Sequence, residues 1–321
     1  MNTAAAGRAM SGWNRFWFAP TETSSLAVFR IGFGLIAIAW TVTLVPNVVS
    51  FYGPHGILPS LPGRAPGEWG VLAFSANPIL MITVVVATLI AAIAVTVGAY
   101  TRVATLVLWV GIVSLIQRNT FVTNSGDGVL RDMAFLLMLT PAGAALSVDR
   151  FRTDPGNFWE FPAHAPWGLR LIQIQISVGY LSAVLHKLTS DVWWDGSAVS
   201  YALRMQDIQR LPTPDFVTGS IAITGVLTYG TILVELALAV LIWNRRLRPW
   251  VLGLGICLHL GIDSSIMVGF FSYLMIVGYL AFVPPETMCR VVLRLRDGTP
   301  WFTLGARRHN LAANGDATVT T

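Results

Sequence analysis

Residues 78–100 read PILMITVVVATLIAAIAVTVGAY, a stretch from Pro78 to Tyr100 without a charged side chain. A helix needs about 20 apolar residues to cross the hydrocarbon core of a bilayer. Backbone groups in that core find no water to bond, so such a stretch adopts a helix. The sequence therefore predicts a membrane-spanning helix here and places the chain among α-helical membrane proteins.

The composition of the whole chain supports this class of protein. Of 321 residues, 54% are hydrophobic and only 12% are charged, whereas a soluble domain usually has about 25% charged residues. So apolar a chain is not intrinsically disordered, and two cysteines do not make a disulfide-stapled scaffold. The net charge of +5 does not indicate nucleic-acid binding, because the basic residues lie between apolar stretches.

Apolar stretches along the chain predict an all-α fold, a polytopic transmembrane helical bundle of about eight spans. Three of these stretches, Val103–Ile116, Val129–Leu146 and Pro249–Ile262, are short. Stretches of about 10–14 residues are often re-entrant or buried. Residues 249–283 therefore either cross twice or dip back. The predicted spans are Leu26–Val49, Pro78–Tyr100, Val103–Ile116, Val129–Leu146, Gly168–Lys187, Thr218–Trp243, Pro249–Ile262 and Ser264–Val283.

The basic residues predict the orientation. With eight spans and an inside N-terminus, thirteen of the 21 Lys and Arg residues fall on inner segments, six on outer loops and two near inner span ends. An excess of Lys and Arg marks the cytoplasmic side, so both termini are expected there. We expect a cytoplasmic segment at 1–24, a transmembrane domain at 25–285, and a basic, partly disordered cytoplasmic tail at 286–321.

Arg30 and Glu235 are two of the ionisable residues that lie within apolar stretches, where charge is costly. Arg30 opens the first stretch and either snorkels to the inner interface or has a functional role. Glu235 lies well inside the sixth stretch, so it must face protein or water rather than lipid. It is expected either to pair with Arg30 or Arg131 across the bundle or to take part directly in chemistry.

The segment that opens the fourth span contains a second carboxylate, Asp127. It is expected to cap the helix and to pair with Arg131, four residues later on the same face. A ligand site is the alternative interpretation, because Gly126 and Gly128 would let a ligand approach the backbone closely.

His259 and Asp263 are also four residues apart, hence on one helix face. A carboxylate beside an imidazole raises its basicity and fixes its tautomer, so the two are expected to pair. The alternatives are that Asp263 caps the following helix and that His259 is a satisfied core histidine.

The fifth stretch carries a polar stripe. Gln173, Tyr180 and Lys187 recur every seven residues and share one slowly drifting face, with Gln175 on a neighbouring face. Lys187 lies near the outer interface. A lysine held in an apolar pocket loses its proton readily and becomes a base; a snorkelling anchor is the alternative.

Motifs of common soluble enzymes are absent from the sequence. It contains no Walker loop, no Gly-x-Ser-x-Gly and no His-Glu-x-x-His. The five histidines lack metal-ligand spacing, so no metal is expected. Cys257 and Cys289 are far apart and give little support to a dithiol relay.

Three short blocks of the sequence follow one another in the order of a known membrane family. The blocks are Ser147-Val148-Asp149; Gln175-Ile-Ser-Val-Gly-Tyr180 with Lys187-Leu188 and Trp194-Asp195-Gly196; and His259 with Gly269-Phe270-Phe271-Ser272-Tyr273-Leu274-Met275. Arg30, with Gly32 and Gly34, fits the family's first span. Together they resemble the membrane core of vitamin K-dependent gamma-carboxylase, which bacterial HTTM proteins share. The resemblance covers most of the chain, from Ser25 to Pro285.

The resemblance implies a chemistry. In the family enzyme, a lysine at the position that Lys187 matches deprotonates reduced vitamin K. The oxidised quinol then takes a proton from the gamma carbon of a glutamate, which carbon dioxide carboxylates. By the same matching, His259 and Tyr273 are expected to line the pocket. The expected cofactor contacts are Gln175, Tyr180 and Phe270. The ionisable residues expected to support the site are Arg30, Asp127, Arg131, Glu235 and Asp263.

The chain departs from this family in three places. The enzyme has a histidine where this chain has Asn124-Ser125-Gly126-Asp127, so that role is vacant or passes to Asp127. The enzyme also has a large C-terminal domain that helps to hold its protein substrate, whereas a short basic tail follows Pro285 here. Trp193-Trp194 is one residue out of register with the family's pattern.

Two functional hypotheses follow. The first is a carboxylase-like membrane enzyme that uses a reduced quinone, such as reduced vitamin K, with Lys187 as base and a peptide or small-molecule acceptor at the outer face. The second is a non-catalytic HTTM protein that binds a lipid, a quinone or a partner helix, of the peptide-toxin maturation or immunity type. A transporter is less supported, because no repeat symmetry is visible. Contacts with membrane lipids and residence in the plasma membrane are expected, and nucleic-acid binding is not.

Overall fold

The computed structural model describes residues 3–58, 69–73 and 77–298, with side chains from residue 11 onward. Residues 299–321, which hold most of the predicted tail, lie outside the described residues. The described chain is that of an all-α membrane protein. Its helices are α1 Thr3–Phe18, α2 Ser24–Leu44, α3 Val48–Tyr52, α4 Pro78–Val97, α5 Thr101–Arg118, α6 Ser125–Met138, α7 Val148–Thr153, α8 Trp167–Lys187, α9 Asp191–Trp194, α10 Ala198–Leu203, α11 Asp215–Thr218, α12 Ile221–Val240, α13 Arg248–Ser265, α14 Phe271–Tyr279 and α15 Pro285–Asp297.

Short elements complete the fold. The strands β1 (Thr21–Glu22) and β2 (Ala163–His164) pair in antiparallel register, with Thr21 opposite His164. Single 3₁₀ turns extend or connect the helices at Val45–Asn47, Val71–Ala73, Thr120–Val122, Pro155–Asn157, Gln206–Ile208, Leu241–Trp243 and Leu280–Phe282.

Five helical segments are long and apolar enough to cross a membrane. A sixth is added if Phe271–Phe282 and Pro285–Asp297, which meet at 107°, count as one bent span. The predicted count of eight is therefore not confirmed by length and composition. The five segments are Ser24–Tyr52, Pro78–Val97, Thr101–Arg118, Trp167–Lys187 and Ile221–Trp243.

Two of the predicted short spans have different bounds in the structure. The fourth was expected at Val129–Leu146, but its helix begins earlier, at Ser125, and ends at Met138. Pro141 accounts for the early end, because proline disfavours helical conformation in the residue before it. The break expected between Ile262 and Ser264 is also wrong, since α13 continues to Ser265.

One end of the bundle, which we call the Arg30 end, joins the start of α2 to the start of α15. The Ser24 and Ser25 hydroxyls donate to the carbonyls of Pro285 and Val283, each at 2.7 Å. The backbone N–H of Asp149 donates to the Gly98 carbonyl at 2.9 Å. The start of α2, the α4–α5 turn and the end of the α14 segment therefore lie together.

The opposite end, which we call the Lys187 end, holds the longer connections. Asn119 donates from Nδ2 to the Phe51 carbonyl at 2.6 Å. Residues 206–210 pair with the start of the α13–α14 connection, where the Met267 N–H donates to the Ile208 carbonyl at 2.6 Å. Between the two ends, within the described chain, run the helices α2, α4, α5, α6, α8, α12, α13 and α14.

Small residues let α4 pack closely against both neighbours. A Cβ on Gly34 of α2 would lie 2.3 Å from Oγ1 of Thr96, and one on Gly111 of α5 would lie 2.0 Å from Oγ1 of Thr88. Helices in lipid associate through such close packing, because burial of apolar surface gives little driving force there. Fully buried core side chains surround these contacts, among them Phe33, Leu108, Ile112, Leu130 and Ile172.

Candidate functional site

A cavity of about 840 Å³ lies within the Lys187-end half of the bundle. Residues of α6, α8, α12, α13 and α14 line it, together with residues of the short helices α9, α10 and α11. Most lining residues are apolar, and the charged ones are Lys187 and Glu235. The lining includes Gln175, Tyr180, Lys187, Trp193, Leu227, Thr231, Glu235, Cys257, Leu258, Gly261, Ile262 and Met275.

Lys187 and Glu235 form an ion pair in the lining of this cavity. Nζ of Lys187 contacts both carboxylate oxygens of Glu235. The side chains are 18% and 9% exposed, and the ammonium lies 5.0 Å from the centre of the Trp193 ring. Adjacent packing of α8 and α12 brings them together across 48 positions of sequence. The partner predicted for Glu235, Arg30 or Arg131, was therefore wrong.

Lys187 is the only lysine in the sequence, since the other twenty basic residues are all arginine. A positive charge alone does not explain this choice, because arginine serves as a membrane anchor and pairs with carboxylates equally well. What lysine adds is a compact ammonium on a flexible stem, a point charge that can lie close to a single oxygen atom, whereas a guanidinium is a rigid planar fork. The sequence contains this signal, although span lengths and residue spacing do not reveal it.

Tyr180, His259 and Tyr279 form a buried hydrogen-bond network beside the ion pair. Tyr180 Oη lies 2.7 Å from Nε2 of His259 and also contacts Oη of Tyr279. All three residues are at most 3% exposed. Nδ1 of His259 has no hydrogen-bond partner among the described residues. Of the three, Tyr180 lines the cavity, so His259 reaches the cavity through the Tyr180 hydroxyl.

A glycine makes room for this network. Gly255 lies on α13, and a Cβ there would be 2.5 Å from Oη of Tyr279 and 2.9 Å from Cδ2 of Leu238. Neither Tyr279 nor Gly255 was predicted as a site residue. Their roles depend on how α13 meets α14 and α12, which spacing within one helix does not reveal.

The predicted pair of His259 with Asp263 is wrong. Asp263 instead accepts hydrogen bonds from Arg210 at 3.0 Å and from the Tyr273 hydroxyl at 2.6 Å. Nor does Asp263 cap a new helix, since it lies within α13. Tyr273 is 40% exposed and is not among the residues that line the large cavity. The structure therefore does not bring Tyr273 together with Lys187.

The predicted cofactor contacts divide between two cavities. Gln175 lines the large cavity and donates from Nε2 to Asp132 at 3.3 Å. Phe270 instead lines a second cavity of about 130 Å³, together with Asp127. Of the three expected contacts, Gln175 and Tyr180 lie at the large cavity and Phe270 does not.

Asp127 stabilises the start of α6 through a capping box. Its Oδ2 accepts from the Asn124 N–H at 2.7 Å, while the Asn124 side chain caps the helix. Its other oxygen accepts from the Trp40 indole N–H at 2.7 Å. The predicted pair with Arg131 is wrong, because Arg131 turns to Asp132, 2.9 Å away.

Arg30 is fully buried, so snorkelling to water is ruled out. Its guanidinium donates to the carbonyls of Ala142, Ala145 and Leu146 at 2.8, 3.2 and 2.6 Å. Leu146 has a φ of +48°, a strained value for a residue with a side chain. Arg30 therefore holds the α6–α7 connection rather than a ligand.

Close to Arg30, Asp149 caps the start of α5. It accepts from the N–H groups of Tyr100 and Thr101 at 2.8 Å and from the Thr101 hydroxyl at 2.7 Å. Partial burial raises the pKa of the Asp149 carboxyl, but these hydrogen bonds and the charge of Arg152 outweigh it. The pKa is therefore below its ordinary value.

Within the described ranges, no group of three or more His, Cys, Asp or Glu side chains is placed to hold a metal ion. The site is thus defined by an apolar cavity, one ion pair and one buried hydroxyl–imidazole network.

These features define a helical membrane protein with a polar site inside an otherwise apolar cavity. The profile of the HTTM domain matches residues 64–286, which contain Lys187, Glu235 and His259. The chain belongs to the HTTM-domain family, which is associated with the membrane core of vitamin K-dependent carboxylase. Searches of curated proteins and of solved structures each gave no match.

Proposed function

We propose that the large cavity binds a reduced quinone, such as reduced vitamin K, and that the Lys187–Glu235 pair takes a proton from one of its hydroxyl groups. This would be the opening step of a carboxylase-like reaction. The observation that carries the proposal is the only lysine of the chain, held beside a carboxylate in the lining of an apolar cavity.

The residues present suit such a molecule. A volume of about 840 Å³ lies within the range of about 300–1,000 Å³ found for small-molecule sites, which are mostly apolar with a few polar groups. The Trp193 ring and Met275 offer apolar contacts, while Lys187, Glu235 and the Tyr180 hydroxyl offer polar ones. When bound, a reduced quinone would supply, with oxygen, the strong base needed to take a proton from an acceptor.

The ion pair would handle one proton. A carboxylate oxygen of Glu235 accepts the proton from the ligand O–H, and Lys187 keeps its positive charge next to the oxygen that lost it. The low dielectric of a water-poor cavity strengthens that attraction. Lys187 and Glu235 thus act as one base, whereas the family resemblance assigned that role to the lysine alone.

His259 would act through Tyr180. The imidazole holds the Tyr180 hydroxyl in place and can accept its proton at Nε2. His259 is therefore a positioning residue in this proposal. Tyr273 would have a role outside the cavity, where it fixes Asp263.

The second candidate function is non-catalytic binding of a lipid, a quinone or a partner helix. The completeness of the ion pair favours it, because both oxygens of Glu235 already contact Lys187. A pair that satisfies itself can orient a polar headgroup without exchanging a proton.

The proposal includes a topology of eight crossings with both termini in the cytoplasm of a plasma-membrane protein. Its support is that α6, α13 and α14, though short or more polar, run between the same two ends as the longer helices. Glycosylation or protease reporters placed after residues 58, 122 and 213 would test it, since all three should be on the outer side.

The experiment that separates the two functions uses the purified protein in lipid nanodiscs. It is incubated with vitamin K hydroquinone, oxygen, labelled bicarbonate and a glutamate-containing peptide, and binding, epoxide formation and peptide label are measured. We expect epoxide from the wild type and its loss in Lys187→Ala and Glu235→Gln. Arg246→Ala, an exposed change at the Arg30 end, is the matched control.

Each outcome of this experiment has one meaning. Epoxide without peptide label would support quinol chemistry and reject the glutamate acceptor. Binding without epoxide would favour the non-catalytic function. If the wild type and Lys187→Ala bind the quinol equally and form the same amount of epoxide, the proposal is overturned.

A further inference from the structure

Helices α12 and α13 pack tightly against each other at the Arg30 end. There Leu238 and Val251 are buried, at 0% and 4% exposure. Gly255 lies so close to Leu238 that a Cβ would be 2.9 Å from its Cδ2. This contact fixes the two helices against each other in the half of the bundle at the Arg30 end.

Toward the Lys187 end the facing side chains of the same helices line the cavity instead. On α12 these are Leu227, Thr231 and Glu235, spaced by four residues and so on one face. On α13 they include Leu258 and Ile262, which are also four apart. The two helices thus diverge, and the cavity occupies the space between them.

The side of the cavity that α12 and α13 form is also part of the protein surface. Leu227 is 43% exposed, and Cys257 and Gly261 are exposed as well, although all three line the cavity. Their neighbours on the surface are large and apolar, such as Val226 at 72% and Leu260 at 52% exposure. In a membrane helix such a surface faces lipid.

We infer that the cavity opens sideways to lipid between α12 and α13, and that its ligand is an amphiphile with a long apolar tail. Leu227, Thr231, Cys257 and Gly261 define this lateral opening. The head of the molecule lies at Lys187 and Glu235, and the tail extends through the opening into the hydrocarbon. The assignment of the head rests on the proposed function, while the opening and the tail rest on the helix geometry.

The charge distribution supports this orientation. The ion pair lies within the cavity, where the head would be sheltered from lipid. The residues around the lateral opening are uncharged, so they offer no ion pair to a polar head and good contact to an alkyl or isoprenoid chain.

Two glycines on α13 provide a matched test. A Cβ on Gly261 or on Gly253 would meet no atom within 4 Å, so both sites accept a larger side chain. Gly261 lines the cavity and Gly253 does not. Gly261→Trp should therefore obstruct the lateral opening, and Gly253→Trp should place the same indole on the lipid face without obstructing it.

The probes are vitamin K1 hydroquinone, which carries a phytyl tail, and menadiol, which has the same ring without a tail. For Gly261→Trp in nanodiscs we expect binding of the tailed probe to weaken by about tenfold or more, since each buried methylene contributes to affinity. Menadiol binding should change by less than about twofold, as should binding of either probe to Gly253→Trp. Equal loss for both probes, or no loss for the tailed one, would overturn the inference.

The two cysteines give a second readout that does not depend on affinity. Cys289→Ser leaves Cys257 at the lateral opening, and Cys257→Ser leaves Cys289 on α15 as the control. A spin label on Cys257 should be accessible to oxygen in nanodiscs and become less accessible with the tailed probe, while the label on Cys289 is unchanged. A Cys257 label shielded before any probe is added would indicate that a second copy covers this surface and would overturn the lateral opening.

Failure of the inference is distinguishable from failure of the proposed function. If epoxide forms but Gly261→Trp has no selective effect, the chemistry stands and the lateral opening does not. If the tail protects the Cys257 label but Lys187→Ala binds and reacts as the wild type does, the opening stands and the role of the ion pair does not.

Discussion

Arg30 and Lys187 are both basic residues within apolar helices, yet their surroundings differ in every respect. Arg30 is fully buried, donates to three carbonyls and lines neither of the two cavities described above. Lys187 pairs with one carboxylate, remains 18% exposed and lines the largest described cavity. The comparison teaches that an intramembrane charge marks a candidate site only when space for a ligand lies beside it.

Removal of the Arg30 guanidinium should have the largest effect on stability. Arg30→Met leaves three carbonyls without their donor and frees the strained Leu146. We expect a loss of about 3–5 kcal/mol in stability, typical of removing one partner from a buried charged network. Thermal unfolding followed by size-exclusion chromatography measures it, with the exposed Arg246→Met as control. A melting temperature within error of the wild type would mean that Arg30 does not stabilise the α6–α7 connection.

Removal of one charge from the Lys187–Glu235 ion pair should cost less stability than removal of Arg30, because the pair has only two members. Lys187→Met leaves Glu235 without a partner and should cost about 2–3 kcal/mol, less than a fully buried pair because water reaches the lysine. Removing both charges, in Lys187→Met with Glu235→Met, should restore more than half of that loss while ligand binding stays absent. A double-mutant cycle in thermal unfolding checks the coupling. Additive losses would show that the two charges are not coupled.

A smaller effect is expected where α13 meets the tyrosine network. Gly255→Ala forces Tyr279 away from Tyr180 and should cost about 1–3 kcal/mol through overpacking. Adding Tyr279→Phe removes the clashing hydroxyl and should recover part of the loss. Gly253→Ala, which meets no atom within 4 Å, should be neutral or slightly stabilising. If Gly255→Ala also proves neutral in thermal unfolding, the close contact does not constrain the network.

The smallest effect concerns the cap on α5. Asp149→Asn keeps one acceptor oxygen but loses the second acceptor and the charge, so it should cost about 1 kcal/mol at neutral pH. Because the pKa of Asp149 is lower in the folded than in the unfolded chain, its contribution is complete above the unfolded pKa of about 3.9. It disappears as the pH falls through the folded pKa. The stability difference between wild type and variant should therefore close below about pH 4, whereas a constant difference would contradict this assignment.

The sequence was sufficient to predict the fold class and which residues are unusual. Apolar stretches fix the helices, because lipid leaves the backbone no other partner. Lys187, Glu235 and His259 stood out because ionisable groups in such stretches are costly. Span lengths were less predictable, since Pro141 ends α6 early and a capping box starts it early.

The hydrogen-bond and ion-pair partners of the candidate site residues were the least predictable feature of the structure. Spacing of four residues suggested Asp127 with Arg131 and His259 with Asp263, but each of the four has a different partner. Spacing limits partners to one helix face, whereas three of the four observed partners come from other helices or loops and the fourth, Asp132, is the residue next to Arg131. Which helices are neighbours depends on packing of the whole bundle, and single-helix periodicity holds no information about it.

The presence of a single lysine makes the site unusually open to measurement. Apart from the chain's own N-terminal amine, a reagent specific for primary amines has one target in the whole protein. Reductive methylation with ¹³C-formaldehyde would place one isotopic reporter at Lys187, and its resonance would follow the protonation of that nitrogen as ligands are added. The chemistry of the cavity could thus be observed directly, without first identifying the natural ligand.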